Sequence, residues 1–131
     1  MRKIKGLIFM LFISLSLFGM TACSNSGANT YEQITPQEAK TIMDTESEYI
    51  IIDARTTEEF AEGHIADAIL IPEYEIASRA EKELPDKDAL ILVYCRSGRR
   101  SKIASEELVK LGYTNVKEFG GIIDWPYEVV K

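Results

Sequence analysis

Hydrophobic positions along this chain fall into two regimes. Residues Gly6 to Met20 read GLIFMLFISLSLFGM, an apolar run without a charge. From about Tyr31 onward, short apolar runs alternate with stretches of helical periodicity. Tyr31 to Ile34 predicts a short edge strand. Thr35-Pro36-Gln37-Glu38 joins a capping box to a proline at the first helical position, and opens a helix to about Met43. Its apolar face is Ala39, Ile42 and Met43. Tyr49 to Ile52 is a continuous apolar run ending at Asp53, the pattern of a strand buried on both faces of a parallel sheet. Thr57 is expected to cap a short helix through Phe60, which Gly63 ends. Ala68 to Ile71 is another short strand, stopped by Pro72. Tyr74 to Leu84 has helical spacing and ends before Pro85. The acidic residues between Glu73 and Asp88 suit a solvated helix face. Ala89 to Tyr94 is the strongest strand signal and leads directly into Cys95. Ser101 to Leu111 is an amphipathic helix, followed by Gly112 as its terminating residue. Val116 to Phe119 predicts a last strand, Gly120-Gly121 a turn, and Ile122 to Val130 a terminal helix interrupted at Pro126. Strands alternating with helices in this way imply an α/β fold of three layers, α/β/α, around a parallel sheet.

The apolar run at the start stands apart from that pattern. Arg2, Lys3 and Lys5 precede it, and a positive segment before a short apolar segment marks a secretory signal. The run is shorter than the roughly 20 residues that span a bilayer. It ends in Met20-Thr21-Ala22-Cys23, which resembles the lipobox of bacterial lipoproteins. That resemblance implies a signal peptide over residues 1–22, lipidation of Cys23, and an extracytoplasmic protein anchored to the bacterial membrane by lipid. Residues 23–30, with the small polar stretch SNSGANT, then form the attachment point and a flexible tether. Residues 31–131 form one domain.

Composition narrows the function classes. The chain has 131 residues, 46% hydrophobic and 27% charged, which excludes a disordered or collagen-like chain. Its net charge is −6, and loss of Arg2, Lys3 and Lys5 with the signal takes it to −9. A chain this acidic is a poor partner for nucleic acid. There are two cysteines. With Cys23 taken by lipid, Cys95 has no disulfide partner and the fold must stand on its core. An exported lone thiol is a liability unless it is buried or used.

Cys95-Arg96-Ser97-Gly98-Arg99-Arg100-Ser101 joins the strongest strand to a helix. Sites of open α/β sheets lie beyond the carboxyl ends of strands. A helix N-terminus presents free N–H groups and partial positive charge. Arg96, Arg99 and Arg100 add cations, and Gly98 lets backbone N–H groups turn inward. Such surroundings favour the thiolate of Cys95 at neutral pH, against about 8.5 for the pKa of an ordinary thiol. Arg100, at the start of the helix, is expected to point at a bound anion. Arg96 and Arg99 are expected to lie partly on a solvated face with acids such as Glu106 and Glu107.

These residues resemble the active-site loop of the rhodanese-like domain, the sulfurtransferase family. Tyr94-Cys95-Arg96-Ser97-Gly98 with Arg100 and Ser101 carries the loop. Asp53-Ala54-Arg55, Glu59-Phe60, Gly63-His64-Ile65, Ala68 and Ile71-Pro72 carry an upstream motif. Gly120-Gly121 and Trp125 carry a closing one. The resemblance implies a rhodanese-like fold with a five-stranded parallel sheet. It also implies transfer of sulfane sulfur through a persulfide on Cys95, with Cys95 and Arg100 catalytic and Arg96, Ser97, Gly98, Arg99 and Ser101 binding substrate. The donor would be a small anion such as thiosulfate. The acceptor would be cyanide or a thiol, including a protein thiol. No cofactor and no metal are implied. Cys95 to Arg100 is six residues, the sulfurtransferase length, whereas related phosphatases and arsenate reductases carry a longer loop.

Asp53 and Arg55 are expected to form a structural ion-pair network with Glu59, because buried charges are normally paired. His64, the only histidine, is expected to support a turn. Without a second histidine a zinc site is not expected. Trp125 and Tyr127 are expected to cover the core. Two other functions fit the same residues: a persulfide carrier or redox relay with little thiosulfate turnover, and a non-catalytic binding module.

Overall fold

The computed structural model describes residues 30–131. The signal segment, Cys23 and all but the last residue of the tether lie outside the described residues. Five strands form one all-parallel sheet: β1 (Glu32–Gln33), β2 (Ile50–Asp53), β3 (Ile69–Leu70), β4 (Ile91–Cys95) and β5 (Val116–Gly121), in the order β1-β5-β4-β2-β3. The helices are α1 (Pro36–Thr45), α2 (Thr57–Glu62), α3 (Ile76–Glu83) and α4 (Arg99–Lys110). Single 3₁₀ turns cover Glu73–Glu75 and Ile122–Asp124.

The two central strands carry the apolar runs, and every residue of β4 is buried. Because side chains alternate along a strand, β4 feeds two cores. Ile91, Val93 and Cys95 join Ile52 of β2 on one face, with Ile76 and Ala80 of α3 and Ala104 and Leu108 of α4. Leu92 and Tyr94 join Ile51 and Phe119 on the other, against Ala39 of α1. Trp125 closes this second core, its ring centroid 5.6 Å from Phe119, while Tyr127 stacks edge-on outside it. The three-layer α/β/α reading is therefore met.

Several boundaries differ from expectation. The cap of α2 is Thr56, not Thr57. Only Thr56 has a glutamate three residues on, and Thr56 and Glu59 bond each other's backbone N–H reciprocally. Helix α4 starts at Arg99, two residues before Ser101, because Gly98 turns the chain into it at φ +105°. The Gly120-Gly121 pair is not a turn: β5 runs through it, and Gly121 pairs with Cys95. The expected terminal helix over Ile122 to Val130 is replaced by the single turn Ile122–Asp124. Pro126 holds Trp125 extended, at φ −80° and ψ 110°, so the helix cannot propagate. Beyond it the chain returns to pair Val130 with His64.

Candidate active site

Cys95 is the last residue of β4 at the middle of the sheet, and the pairing with β5 is irregular between Val93 and Cys95. Irregular pairing of this kind re-aims a side chain beside a site. Cys95 is 1% exposed and its sulfur faces the loop that follows it. The Gly98 N–H donates to Sγ at 3.0 Å, and the Ser101 hydroxyl oxygen lies 3.3 Å from Sγ. The positive φ of Gly98, beyond that N–H, turns the chain into α4. Gly121 lets the loop backbone lie against β5. A Cβ there would sit 1.9 Å from the Arg96 carbonyl oxygen, itself held by the Ile123 N–H at 3.2 Å.

The arginines divide differently from the sequence reading. Arg100 does not project freely toward the sulfur. Its two terminal nitrogens donate to both oxygens of Glu59, at 2.6 and 2.9 Å. Glu59 is thereby bonded both to its own helix cap and to α4. The Arg100 hydrogen bonds, against the opposing effect of burial, hold the Glu59 carboxyl down at about 2. The Arg100 guanidinium is held up first by Glu59 and also by the Cys95 and Asp53 charges. Arg96 and Arg99 are exposed and, among the described residues, stand in no ion pair, so the expected pairing with Glu106 and Glu107 is absent. Arg96 lines a cavity of about 380 Å³ with Arg55, Glu59, Glu62, Ile122 and Ile123. Ser97 is exposed beside it.

The predicted Asp53–Arg55 pair is present and buried. Arg55 Nη2 donates to Asp53 at 2.8 Å and to the Gly63 carbonyl at 2.6 Å. The Tyr94 hydroxyl donates to Asp53 at 2.6 Å and accepts the Ile65 N–H at 3.1 Å. Burial, with the Asp53 charge behind it, raises the Tyr94 phenol well above its usual range. This network pins the ends of β2 and β4 that carry the site. Glu59 is not bonded to it, its carboxylate being taken by Arg100. His64 supports a turn: it stacks on Phe60 at 3.7 Å, and its Nδ1 lies 2.9 Å from the Phe60 carbonyl.

Glu118 escaped the sequence reading. It is 2% exposed on β5, accepts the Ser101 hydroxyl at 2.6 Å, and accepts the Gly120 N–H at 2.8 Å. Its signal was strand parity. Val116 faces the core, so Glu118, two residues on, faces it too.

A strand-end cysteine in a tight loop that opens a helix, on an all-parallel sheet, defines a class of α/β protein that holds a buried sulfur at a helix N-terminus. The family model described as the rhodanese-like domain matches residues 35–126, and the chain belongs to that family. It is 40% identical over 80 residues to the thiosulfate sulfurtransferase PspE of Escherichia coli, covering 61% of this chain and 77% of that protein. It is 42% identical over 85 residues to a sulfurtransferase of Allochromatium vinosum, covering 64% and 77%. A solved structure of a rhodanese with anions from E. coli superposes with a TM-score of 0.60 at 38% identity, covering 63% of this chain and 98% of that one.

Proposed function

We propose that this protein is a sulfurtransferase that carries sulfane sulfur on Cys95. The observation that carries the reading is the Gly98 N–H donating to the Cys95 sulfur at 3.0 Å, at the loop end of the core that this side chain also joins. In the first step the Cys95 thiolate attacks the outer sulfur of thiosulfate. A Cys95–S bond forms, the bond to the sulfonate sulfur breaks, and sulfite leaves with its electron pair. In the second step cyanide or a thiolate attacks the outer sulfur of the persulfide, and the Cys95 thiolate leaves. This is ping-pong nucleophilic catalysis. The loop N–H groups offset the negative charge on the persulfide. Arg96, exposed and without an ion-pair partner among the described residues, is the cation we assign to meet the anionic donor, with Arg99 adding to the field; Arg100 acts by tying α4 to α2 through Glu59. The sulfurtransferase names of the relatives, and the anions held by the E. coli rhodanese, support the same reading. The lipobox-like segment supports the further reading that this chemistry takes place outside the cytoplasmic membrane.

Thiosulfate:cyanide turnover of the native protein beside Cys95→Ser tests the reading. The variant should lose sulfur transfer at least a thousandfold, a typical loss when a covalent nucleophile is removed. Turnover unaffected by that change removes Cys95 from the mechanism. A sulfur adduct on Cys95, lost with reductant and accompanied by negligible turnover, would instead assign a carrier.

A further inference from the structure

We propose that Ser101 and Glu118 form a relay that takes up the Cys95 thiol proton, with Glu118 acting through Ser101 as a positioning residue. The inference rests on the sulfurtransferase reading above and adds a proton acceptor to it.

The Ser101 hydroxyl has one hydrogen and three oxygen acceptors in reach: Glu118 Oε1 at 2.6 Å, the Gly98 carbonyl at 3.0 Å and the Gly120 carbonyl at 3.4 Å. The carboxylate is nearest and is the charged one, so the hydrogen goes there. That leaves a lone pair on Ser101 Oγ for the Cys95 S–H, 3.3 Å away. The chain of groups is then S–H to O–H to carboxylate. In the transfer the S–H bond breaks and a Ser101 O–H bond forms, while the original Ser101 O–H bond breaks and a Glu118 O–H bond forms. The S–H electron pair stays on sulfur.

Structure alone does not call for a carboxylate here. A glutamine would accept both the Ser101 hydroxyl and the Gly120 N–H without burying a charge, which is costly in an apolar setting. A carboxylate does what an amide cannot: it becomes neutral as the sulfur becomes anionic. The pair then holds one negative charge, not two, beside a loop that must admit an anion. Glu118 also lines a cavity of about 350 Å³ with Ser97, Gly98, Lys102 and Asp124. The charged and titratable groups around the relay are Lys102 and Asp124 at that cavity, Arg100, which feels the Cys95 charge, and Tyr31, which feels the Glu118 charge. The Tyr31 phenol is raised by burial first, then by Glu106 and Glu118.

The test is the pH profile of Cys95 alkylation by iodoacetamide in the full chain, followed at the Cys95 peptide by mass spectrometry. Two interacting groups lose their protons in steps that belong to the pair. The native protein should therefore show two steps and Glu118→Gln one. Ser101→Ala, which removes the bridge, should slow alkylation at neutral pH by about tenfold, the loss expected of one hydrogen bond to a charged group. The same number of steps in native protein and Glu118→Gln overturns the relay. Where the variants do not fold, infrared spectra of the native protein with labelled glutamate decide. Thiolate absorbance together with a protonated glutamate carboxyl at neutral pH supports the relay, and thiolate with every glutamate ionised overturns it. If Cys95→Ser is inactive while the profile is unmoved, only the relay fails. If Cys95→Ser is active, the sulfurtransferase reading fails with it.

Discussion

Gly121 measures how little space the sulfur loop has. Its φ of −123° suits any residue, so no backbone strain forbids a side chain there. The obstacle is steric: a Cβ would stand 1.9 Å from the Arg96 oxygen and 2.5 Å from the Ser97 nitrogen, both backbone atoms. Gly121→Ala must push the loop off β5 or bend the strand. The expected cost is about 3 kcal/mol, the upper end of overpacking effects, with sulfur transfer falling alongside. Thermal unfolding and turnover measured on the one variant check both; a stable and fully active Gly121→Ala would show that the loop does not need this contact. Residues of this kind were legible to different degrees. Cys95, Gly98 and the Asp53–Arg55 pair were readable because their partners lie within a few positions. The pairing of Arg100 with Glu59 was not readable because the two are 41 residues apart, and spacing along the chain says nothing about a meeting across the sheet. Glu118 was readable in principle from strand parity but sits in a run whose apolar neighbours dominate the pattern.

At the scale of elements, Glu59 links a short helix to a longer one. It completes the cap of α2 and accepts both terminal nitrogens of Arg100 on α4, with the paired side chains about a quarter exposed. Its carboxyl is lowered from 4.5 to about 2, chiefly by the Arg100 hydrogen bonds. A carboxyl depressed in the folded state stabilises the fold fully above its unfolded value and loses that contribution as pH falls toward its folded one. The window is therefore about pH 4.5 to 2. A shift of this size would correspond to about 3 kcal/mol; solvent screening of a partly exposed pair reduces this to about 1–2 kcal/mol. Glu59→Gln keeps the cap acceptor and removes the charge, so it should be less stable than the native protein by that amount at neutral pH. The difference should close as pH approaches 2. Chemical denaturation across that range checks it, and a difference independent of pH would assign the loss to packing. The elements themselves were largely legible: β2 and β4 by their continuous apolar runs, α1 by its capping box. The strand–helix boundary at β5 was not, because Gly-Gly signals a turn locally whereas here it continues a strand that the Cys95 loop must approach closely.

For the molecule as a whole, attachment and chemistry are separate problems. The residues of the site, from Asp53 to Gly121, belong to one sheet and the helices on it, and none lies before residue 30. Among the described residues no helix is long and apolar enough to cross a membrane. The chain is acidic, at −6 overall, so its charge does not draw it to an anionic bilayer. Membrane attachment through Cys23 and the segment before it is therefore a proposal that rests on the lipobox-like sequence alone. A single acyl chain gives only marginal, reversible binding, whereas two anchor stably at about 0.8 kcal/mol per buried methylene. Cells fed labelled fatty acid should therefore incorporate it into the native chain and not into Cys23→Ala. The Cys23→Ala protein, extracted in detergent, should transfer sulfur at the native rate, because the Cys95 loop, the Glu59–Arg100 tie and the Asp53–Arg55–Tyr94 network are all built from residues between Asp53 and Gly121. A native chain that takes up no label would return the apolar run to the role of an ordinary signal peptide or an uncleaved anchor, with the sulfur chemistry left as it stands.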